Sequence, residues 1–450
     1  MKNILKKLGI SSWEDWLYAT ATCLIAIYIL SIWVFTLMDI IGKHLDYSSR
    51  FILFDANIQF SYLLLLCIVI MYGSVFIWIF MGFASFFYRK KPDKIKTSET
   101  IPVVVLIPAH NEEGVIKNIL FDLLNQHYKK MEIVVVAHNC TDKTAEIARS
   151  VLDSRIHVIE FHSATSGKAL ALNYGLKYII GNKLGEVIAQ FDTDNRFHDP
   201  LLFNRALSYF DDQNVDVIQG TLYTSNTYDS LLSFLQEVEY NVFSCISWQG
   251  RDALKLPCFL AGTGIFIRTS ILEEVDGWSN SLVEDFELFT RLTLRKKKII
   301  YADNVVIYDE KPITWSAVMK QRSRWVKGHL CVTRDNIHKF GNWLDYLYRL
   351  SPLAVYAWWI SNFIYIYYFL TGQMSVLNVS GVIWVGWSLL FLLFMIATTW
   401  KKRGFKRTLV LPIYWLFGFH WMLVSLYALG VRSWEETKTV HHGSENGGEQ

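Results

Sequence analysis

Charged and uncharged stretches alternate along this chain on two quite different length scales. Residues 16–38 and 56–88 contain no Asp, Glu, Lys or Arg, and the same holds for 350–400 and 408–431. A helix needs about 20 apolar residues to cross a bilayer. The first, second and last of these runs each suffice for one crossing. The run 350–400 suffices for two, with the polar, Gly-containing "TGQMSVLNVSG" (371–381) as the turn between them. The pattern predicts five spans, two before residue 89 and three after residue 349. The first run is too long for a signal peptide, and no small-residue cleavage site follows it.

Between these runs the period is shorter, and apolar strands alternate with helical spacing. "VVVLI" (103–107) predicts a strand, and "HNEEGVIKNILFDLLNQ" after it a helix with acids in its first turn. "EIVVVA" (132–137) predicts the next strand, and the helix after it has Thr141 or Asp142 as its cap. "IHVIEF" (156–161), a Gly-Lys turn and the helix "ALALNYGLKYI" follow, and then the strand "VIAQF" (187–191). Continuous apolar strands separated by helices imply an α/β domain whose sheet is mostly parallel and buried on both faces. Ligands bind such sheets beyond the carboxyl ends of the strands. Three polar clusters fall at those ends, "PAHNEE", "AHNCTD" and "DTDN".

Composition sharpens the first pattern. Of 450 residues, 52% are hydrophobic and only 19% charged, low for a soluble protein. The net charge of +3 hides an asymmetry. "KNILKKLG" precedes the first predicted span, "RKKPDKIK" follows the second, and "KKRGFKR" (401–407) separates the fourth from the fifth. The positive-inside rule places all three in the cytoplasm, and the central segment with them. Six cysteines show neither paired spacing nor a metal-type CxxC and are expected to be reduced.

The rim clusters carry the chemistry. Asp192 and Asp194 sit one residue apart after a buried strand, where two carboxylates can share Mg²⁺ with substrate phosphates. Lys168, just before a helix N-terminus, suits a diphosphate, although a lone lysine there is usually only a surface charge. No GxxxxGK[ST] is present, so a Walker-type site is excluded. "LAGTGIFIRTSIL" (260–272) sets Gly-Thr-Gly before a strand, and "LVEDFELFTRL" (282–292) opens a helix with Glu284 and Asp285. "MKQRSRWVKG" (319–328) gathers four cations around Trp325, the pattern of a basic helix lying on a membrane surface. A second amphipathic pattern runs through "SLLSFLQEVEYNVFSCI" (230–246).

In this order, over about residues 100–330, these motifs resemble the membrane-embedded inverting family 2 glycosyltransferases, such as the hyaluronan, chitin, cellulose and poly-N-acetylglucosamine synthases. The resemblance implies a GT-A-like nucleotide-sugar domain inserted between transmembrane helices. Residues 1–88 would hold two spans, 89–330 the cytoplasmic catalytic domain with interfacial helices, 331–431 three membrane segments and 432–450 a polar tail. It implies that Pro108, Asn111, Glu112, His138, Lys168 and Asp192 bind a UDP-sugar, and that Asp194 with Asp192 holds Mg²⁺ or Mn²⁺. Asp285, with Glu284 beside it, would be the general base that deprotonates the acceptor hydroxyl. Gly262, Thr263, Gln321, Arg324 and Trp325 would face the acceptor and diphosphate. One departure is plain: His138 stands where many relatives carry an aspartate that reads the uracil edge.

The implied protein is a plasma-membrane enzyme that lengthens a β-linked polysaccharide and threads it through its own spans. It would act on a UDP-sugar and a glycan acceptor within a lipid bilayer, with no nucleic acid partner. The alternatives are a single transfer to a lipid-linked acceptor and, more remotely, a non-enzymatic transporter or receptor. The last would need an ionisable path through the spans, which offer only His420. "WEETKTVHHG" (434–443) faintly resembles a nucleotide-sensing Trp-x-x-Thr segment, while the span count puts this tail, with Thr437 and Ser444, outside the cell.

Overall fold

The computed structural model describes residues 2–25, 27, 58–96, 99–339, 341–370 and 410–433. The stretch 371–409 and the tail from 434 lie outside the described residues, and with them the predicted turn, the whole fourth span and the nucleotide-sensing segment. Most of the first predicted span lies outside them too.

Among the described residues, seven strands form one sheet in the order β3-β2-β1-β4-β6-β5-β7. They are β1 Val103–Ala109, β2 Met131–His138, β3 Ile156–Phe161, β4 Val187–Gln190, β5 Val217–Thr224, β6 Ile265–Arg268 and β7 Ile299–Asp309. β1 pairs parallel with both β2 and β4, and β2 with β3. Only β6 runs against its neighbours, β4 and β5, so the sheet is mostly parallel. Val103 through Ile107 are fully buried, as expected for a central strand covered on both faces. Successive strands step outward from β1 on one side and then reverse to β4 on the other, which opens a crevice beyond their carboxyl ends.

Helices fill the connections. Helix α1 (Ile58–Ser85) precedes the sheet, and α2 (Ile116–Leu124), α3 (Thr144–Ser150) and α4 (Lys168–Asn182) lie between its first strands. α4 packs so close that a methyl added at Gly175 would sit 2.3 Å from Leu106 Cδ1. α5 (Leu231–Phe243) starts at a reciprocal cap, in which Ser230 Oγ accepts from the Ser233 N–H at 3.0 Å and Ser233 Oγ from the Ser230 N–H at 3.1 Å. α6 (Glu284–Leu294) and α7 (Trp315–Asn336) follow, then α8 (Trp343–Leu350), α9 (Leu353–Leu370), α10 (Leu411–Phe417) and α11 (His420–Gly430).

Three expectations change. The helix after β1 starts at Ile116 and not at His110, because Asn111 adopts φ 57°. The Glu112 and Glu113 N–H groups bond Thr144 Oγ1 and Asp142 Oδ2 instead of joining a helix. The helix after β2 starts at Thr144, and Asp142 serves it from two residues back by accepting the Thr144 N–H at 3.0 Å. The four cations of the basic helix do not form one exposed face: Arg322 has no exposed area, and Lys320, Arg324 and Lys327 are half-buried.

Of the described residues, 411–430 is long and apolar enough to cross a membrane, and Val69–Ser85 is a shorter apolar helix. Residues 411–430 carry a turn at Gly418–Phe419 and pack on the catalytic side. Phe417 meets Leu232, Leu235 and Val318, while Val424 and Ala428 meet Met319 and Val326. None of the six cysteines forms a disulfide.

Candidate active site

A cavity of about 650 Å³ opens at the crevice and is lined by residues from the sheet rim, from α5 to α7, and from α1 and α8 to α11. Of the residues singled out in the sequence, Pro108, Glu112, His138, Lys168, Asp192, Asp194, Gly262, Thr263, Glu284, Asp285, Gln321, Arg324 and Trp325 all line it. Asn111 does not. Its Oδ1 accepts the Thr141 N–H at 2.7 Å and ties the loop after β1 to the loop after β2.

Lys168, first residue of α4, sits at the centre. Its Nζ lies 2.5 Å from Asp192 Oδ1 and 3.6 Å from Glu284 Oε1, and donates to the Gly262 carbonyl at 2.9 Å. Burial alone would pull this ammonium down, but the carboxylates of Asp192 and Glu284 outweigh it and hold the group above its ordinary value. The turn that presents Asp192 is fixed from below. Its N–H donates to Thr263 Oγ1 and to Asn195 Oδ1, both at 3.1 Å, and the Thr263 hydroxyl in turn donates to Asn195. Thr263 thus spends its hydroxyl on the Asp-x-Asp turn. Asp194 Oδ2 accepts the Glu310 N–H at 3.1 Å, which binds this turn to the end of β7.

Asp285 lies in the first turn of α6, with Oδ1 accepting the Phe286 N–H at 2.7 Å. Burial raises the carboxyls of both Glu284 and Asp285 above the usual range, while Lys168 opposes the rise. Gly262 faces this group at φ 76°, and a Cβ there would stand 3.1 Å from Asp285 Oδ2. Gln321, Arg324 and Trp325 project from one face of α7, as spacings of three and four require. Arg324 Nη1 donates to the Leu282 carbonyl at 3.1 Å, and its Nε is buried without a partner among the described residues.

His138 ends β2 with only 2% of its surface exposed. Its ring stacks on Phe161 at 4.7 Å. The Ser163 hydroxyl donates to the Thr165 carbonyl at 2.7 Å, so Ser163 Oγ accepts from His138 Nε2 at 2.8 Å. Burial first, and His110 next, push this ring below the ordinary histidine value. His138 therefore anchors the turn that leads into Lys168, and any base meets a ring with one nitrogen already engaged.

Two groups in the cavity wall escaped the sequence reading. Asp309 ends β7 and Lys311 follows it, with an Nζ–Oδ1 distance of 2.6 Å, and Lys311 Nζ lies 3.4 Å from the centre of the Tyr240 ring. Burial first, then Asp194 and Asp192, raise the Asp309 carboxyl to about 6 against the pull of Lys311. "YDEKP" was a fourth polar cluster after an apolar run, and the rule that found the other three could have found it. The second group is Glu239 on α5, which carried no local signal.

No group of three or more His, Cys, Asp or Glu side chains among the described residues is placed to hold a metal by itself. Asp192 and Asp194 supply two hard oxygen donors beside Lys168, and this set fits Mg²⁺ or Mn²⁺ completed by substrate phosphates.

The family profile described as glycosyltransferase-like family 2 matches residues 101–328. A probable glycosyltransferase of Bacillus subtilis, YdaM, is 27% identical over 371 residues, covering 77% of this chain and 86% of that protein. A probable glycosyltransferase of Sulfolobus acidocaldarius is 28% identical over 54% of this chain and 53% of its own length. Poly-β-1,6-N-acetyl-D-glucosamine synthase of Staphylococcus aureus is 24% identical over 58% of this chain and 63% of its own. Among solved structures, the mannosyltransferase PcManGT of Pyrobaculum calidifontis, in complex with GDP-mannose and Mn²⁺, shares the fold. Its TM-score is 0.51 at 16% identity, over 82% of this chain and 96% of that one.

Proposed function

Because this chain belongs to glycosyltransferase-like family 2, we propose that it is an inverting membrane synthase that extends a β-linked polysaccharide from a UDP-sugar. The observation that carries this reading is one cavity that unites three parts: the Lys168–Asp192–Asp194 rim, the Glu284–Asp285 pair, and the Gln321–Arg324–Trp325 face of α7. That wall continues onto α9, α10 and α11. On this reading residues 1–88 and 331–431 are membrane segments, 89–330 the cytoplasmic catalytic domain, and 432–450 a tail. The similarity to poly-β-1,6-N-acetyl-D-glucosamine synthase supports a sugar-polymer product.

The donor diphosphate lies against Lys168 and the N-terminus of α4, where orphan N–H groups and the ammonium favour negative charge. Asp194 and Asp192 would hold Mg²⁺ or Mn²⁺, which neutralises charge that builds on the leaving diphosphate. The buried Arg324 Nε supplies one more donor for a phosphate or hydroxyl oxygen. Asp285 takes the proton of the acceptor hydroxyl. The freed oxygen attacks the anomeric carbon, the bond from that carbon to the diphosphate breaks, and the nucleoside diphosphate departs from the opposite face. A carboxylate raised toward neutrality by burial is suited to this task, since a general base works best near the operating pH.

Purified enzyme in lipid nanodiscs, given a panel of radiolabelled UDP-sugars, should yield a long polymer. A product that stays the size of one sugar on lipid would overturn processive synthesis.

A further inference from the structure

Beyond the sheet rim the cavity wall includes aromatic side chains, with Trp78 from α1, Tyr240 from α5, and Trp415 and Trp421 from the last helices. Into this region α5 projects Glu239, whose side chain is 15% exposed. The carboxylate is held in a fixed pose. Arg322 of α7, which has no exposed surface, donates Nη1 to Glu239 Oε1 at 3.1 Å and Nη2 to Oε2. Trp421 Nε1 donates to Oε1 at 3.1 Å. Arg322 Nη1 also reaches His420 Nε2 at 2.5 Å. A guanidinium only donates, so this imidazole nitrogen accepts, and His420 Nδ1–H is left to donate to the Phe417 carbonyl at 2.5 Å.

A carboxylate offers about four lone-pair sites. Arg322 and Trp421 use three of them, so one remains for a ligand on a residue that lines the cavity. Among the described residues, α1, α5, α8, α9, α10 and α11 bring no lysine or arginine to the wall, and Arg322 itself does not line it. Lys311, the cation nearest to Tyr240, is committed to Asp309. This region therefore presents flat aromatic faces and one oriented acceptor, with nothing to balance a phosphate.

We propose that Glu239 is an acceptor-specificity residue: its carboxylate accepts a hydrogen bond from a hydroxyl of an uncharged saccharide lying along this aromatic stretch. The proposal rests on the glycosyltransferase reading above and names the acceptor class within it. A pyranose suits both features, with C–H faces for the rings and equatorial hydroxyls for the carboxylate. A phosphate-bearing lipid acceptor would instead meet a carboxylate of like charge.

The test uses the full chain in nanodiscs with three probes: β-linked pentasaccharides of N-acetylglucosamine, β-linked pentasaccharides of glucose, and a polyprenyl phosphate. Glu239→Gln and the double variant Glu239→Gln/Arg322→Gln are compared with wild type, the second so that no buried guanidinium is left without its counter-charge. UDP binding at the sheet rim reports whether each variant is folded. Losing a charge-assisted hydrogen bond should raise the pentasaccharide KM about tenfold and leave the donor KM within about twofold. A purely structural role would move both. In wild type, the pentasaccharide should also protect Glu239 from carbodiimide coupling read by mass spectrometry, a result that needs no variant to fold. An unchanged acceptor KM together with no protection would overturn the proposal. So would transfer to polyprenyl phosphate and to no pentasaccharide. A wild-type enzyme that turns over no nucleotide-sugar, even to water, would fail the parent reading and the proposal with it.

Discussion

Asp285 stands at the start of α6 with one oxygen bound to its neighbour's N–H and the other facing Gly262 and the cavity. Asp285→Asn keeps the shape and removes the base, so turnover should fall about 10²–10⁴-fold while UDP still binds. A variant that keeps a tenth of wild-type turnover would make Asp285 a helix-start charge and nothing more. The same residue sets an acid limb. Only the ionised carboxylate can take a proton, and burial raises the pair Glu284 and Asp285. Activity should therefore fall, as pH drops, at a value above the ordinary carboxylate range of about 4. A kcat/KM profile that stays flat down to pH 4 would contradict this. The metal has its own test: Asp194→Ala, or EDTA, should weaken UDP binding, and an affinity unchanged by either would remove the ion from the site. At this scale the sequence was most legible at the polar clusters that line the cavity. Lys168, Asp192, Asp194 and Asp285 stand together as their motifs implied. Asn111, Thr263 and His138 were harder, because their partners Thr141, Asn195 and Ser163 are set by the approach of loops that share no local pattern.

On the proposed reading α7 carries the acceptor-facing residues, and its first turn is held by residues 9–15. Thr314 accepts the Ala317 N–H at 3.3 Å, while Asp15 accepts the Ser316 N–H at 2.7 Å. Asp15 also takes the N–H groups of Ser11 and Ser12 at 3.0 and 2.9 Å, and its side chain is fully buried. The Trp315 N–H closes the strap on the Gly9 carbonyl at 3.1 Å. Asp15→Ala should cost about 1–2 kcal/mol, as loss of a helix cap does, and lower the melting temperature by several degrees. It should also weaken acceptor use more than UDP binding, because Gln321, Arg324 and Trp325 ride on this helix. Equal loss of both, at unchanged melting temperature, would contradict that role. The first four strands were legible to within two residues, since unbroken apolar runs leave little choice, whereas β5 and β7 went unread. The start of α2 was not, because Asn111 in the left-handed region ends helical geometry where hydropathy alone would continue it.

For the whole molecule, the alternation of strands and helices gave a mostly parallel sheet but not its order. β6 lies between β4 and β5 and runs against both, a placement that depends on long-range packing with no periodic trace. The coupling between domain and apolar helices was equally hidden. It runs through the buried Arg322, which the charge pattern assigned to a membrane surface. The central claim is that one cavity transfers a sugar from its nucleotide with inversion. It is tested most directly by the anomeric configuration of the product. Wild type and Asp285→Asn are supplied with the ¹³C-labelled form of whichever UDP-sugar is turned over, and the one-bond C1–H1 coupling of the product is read by NMR. The account predicts β-linkages from the α-linked donor in wild type and no product signal above background from the variant. An α-linked product, or β-linked product formed by Asp285→Asn at the wild-type rate, would contradict it.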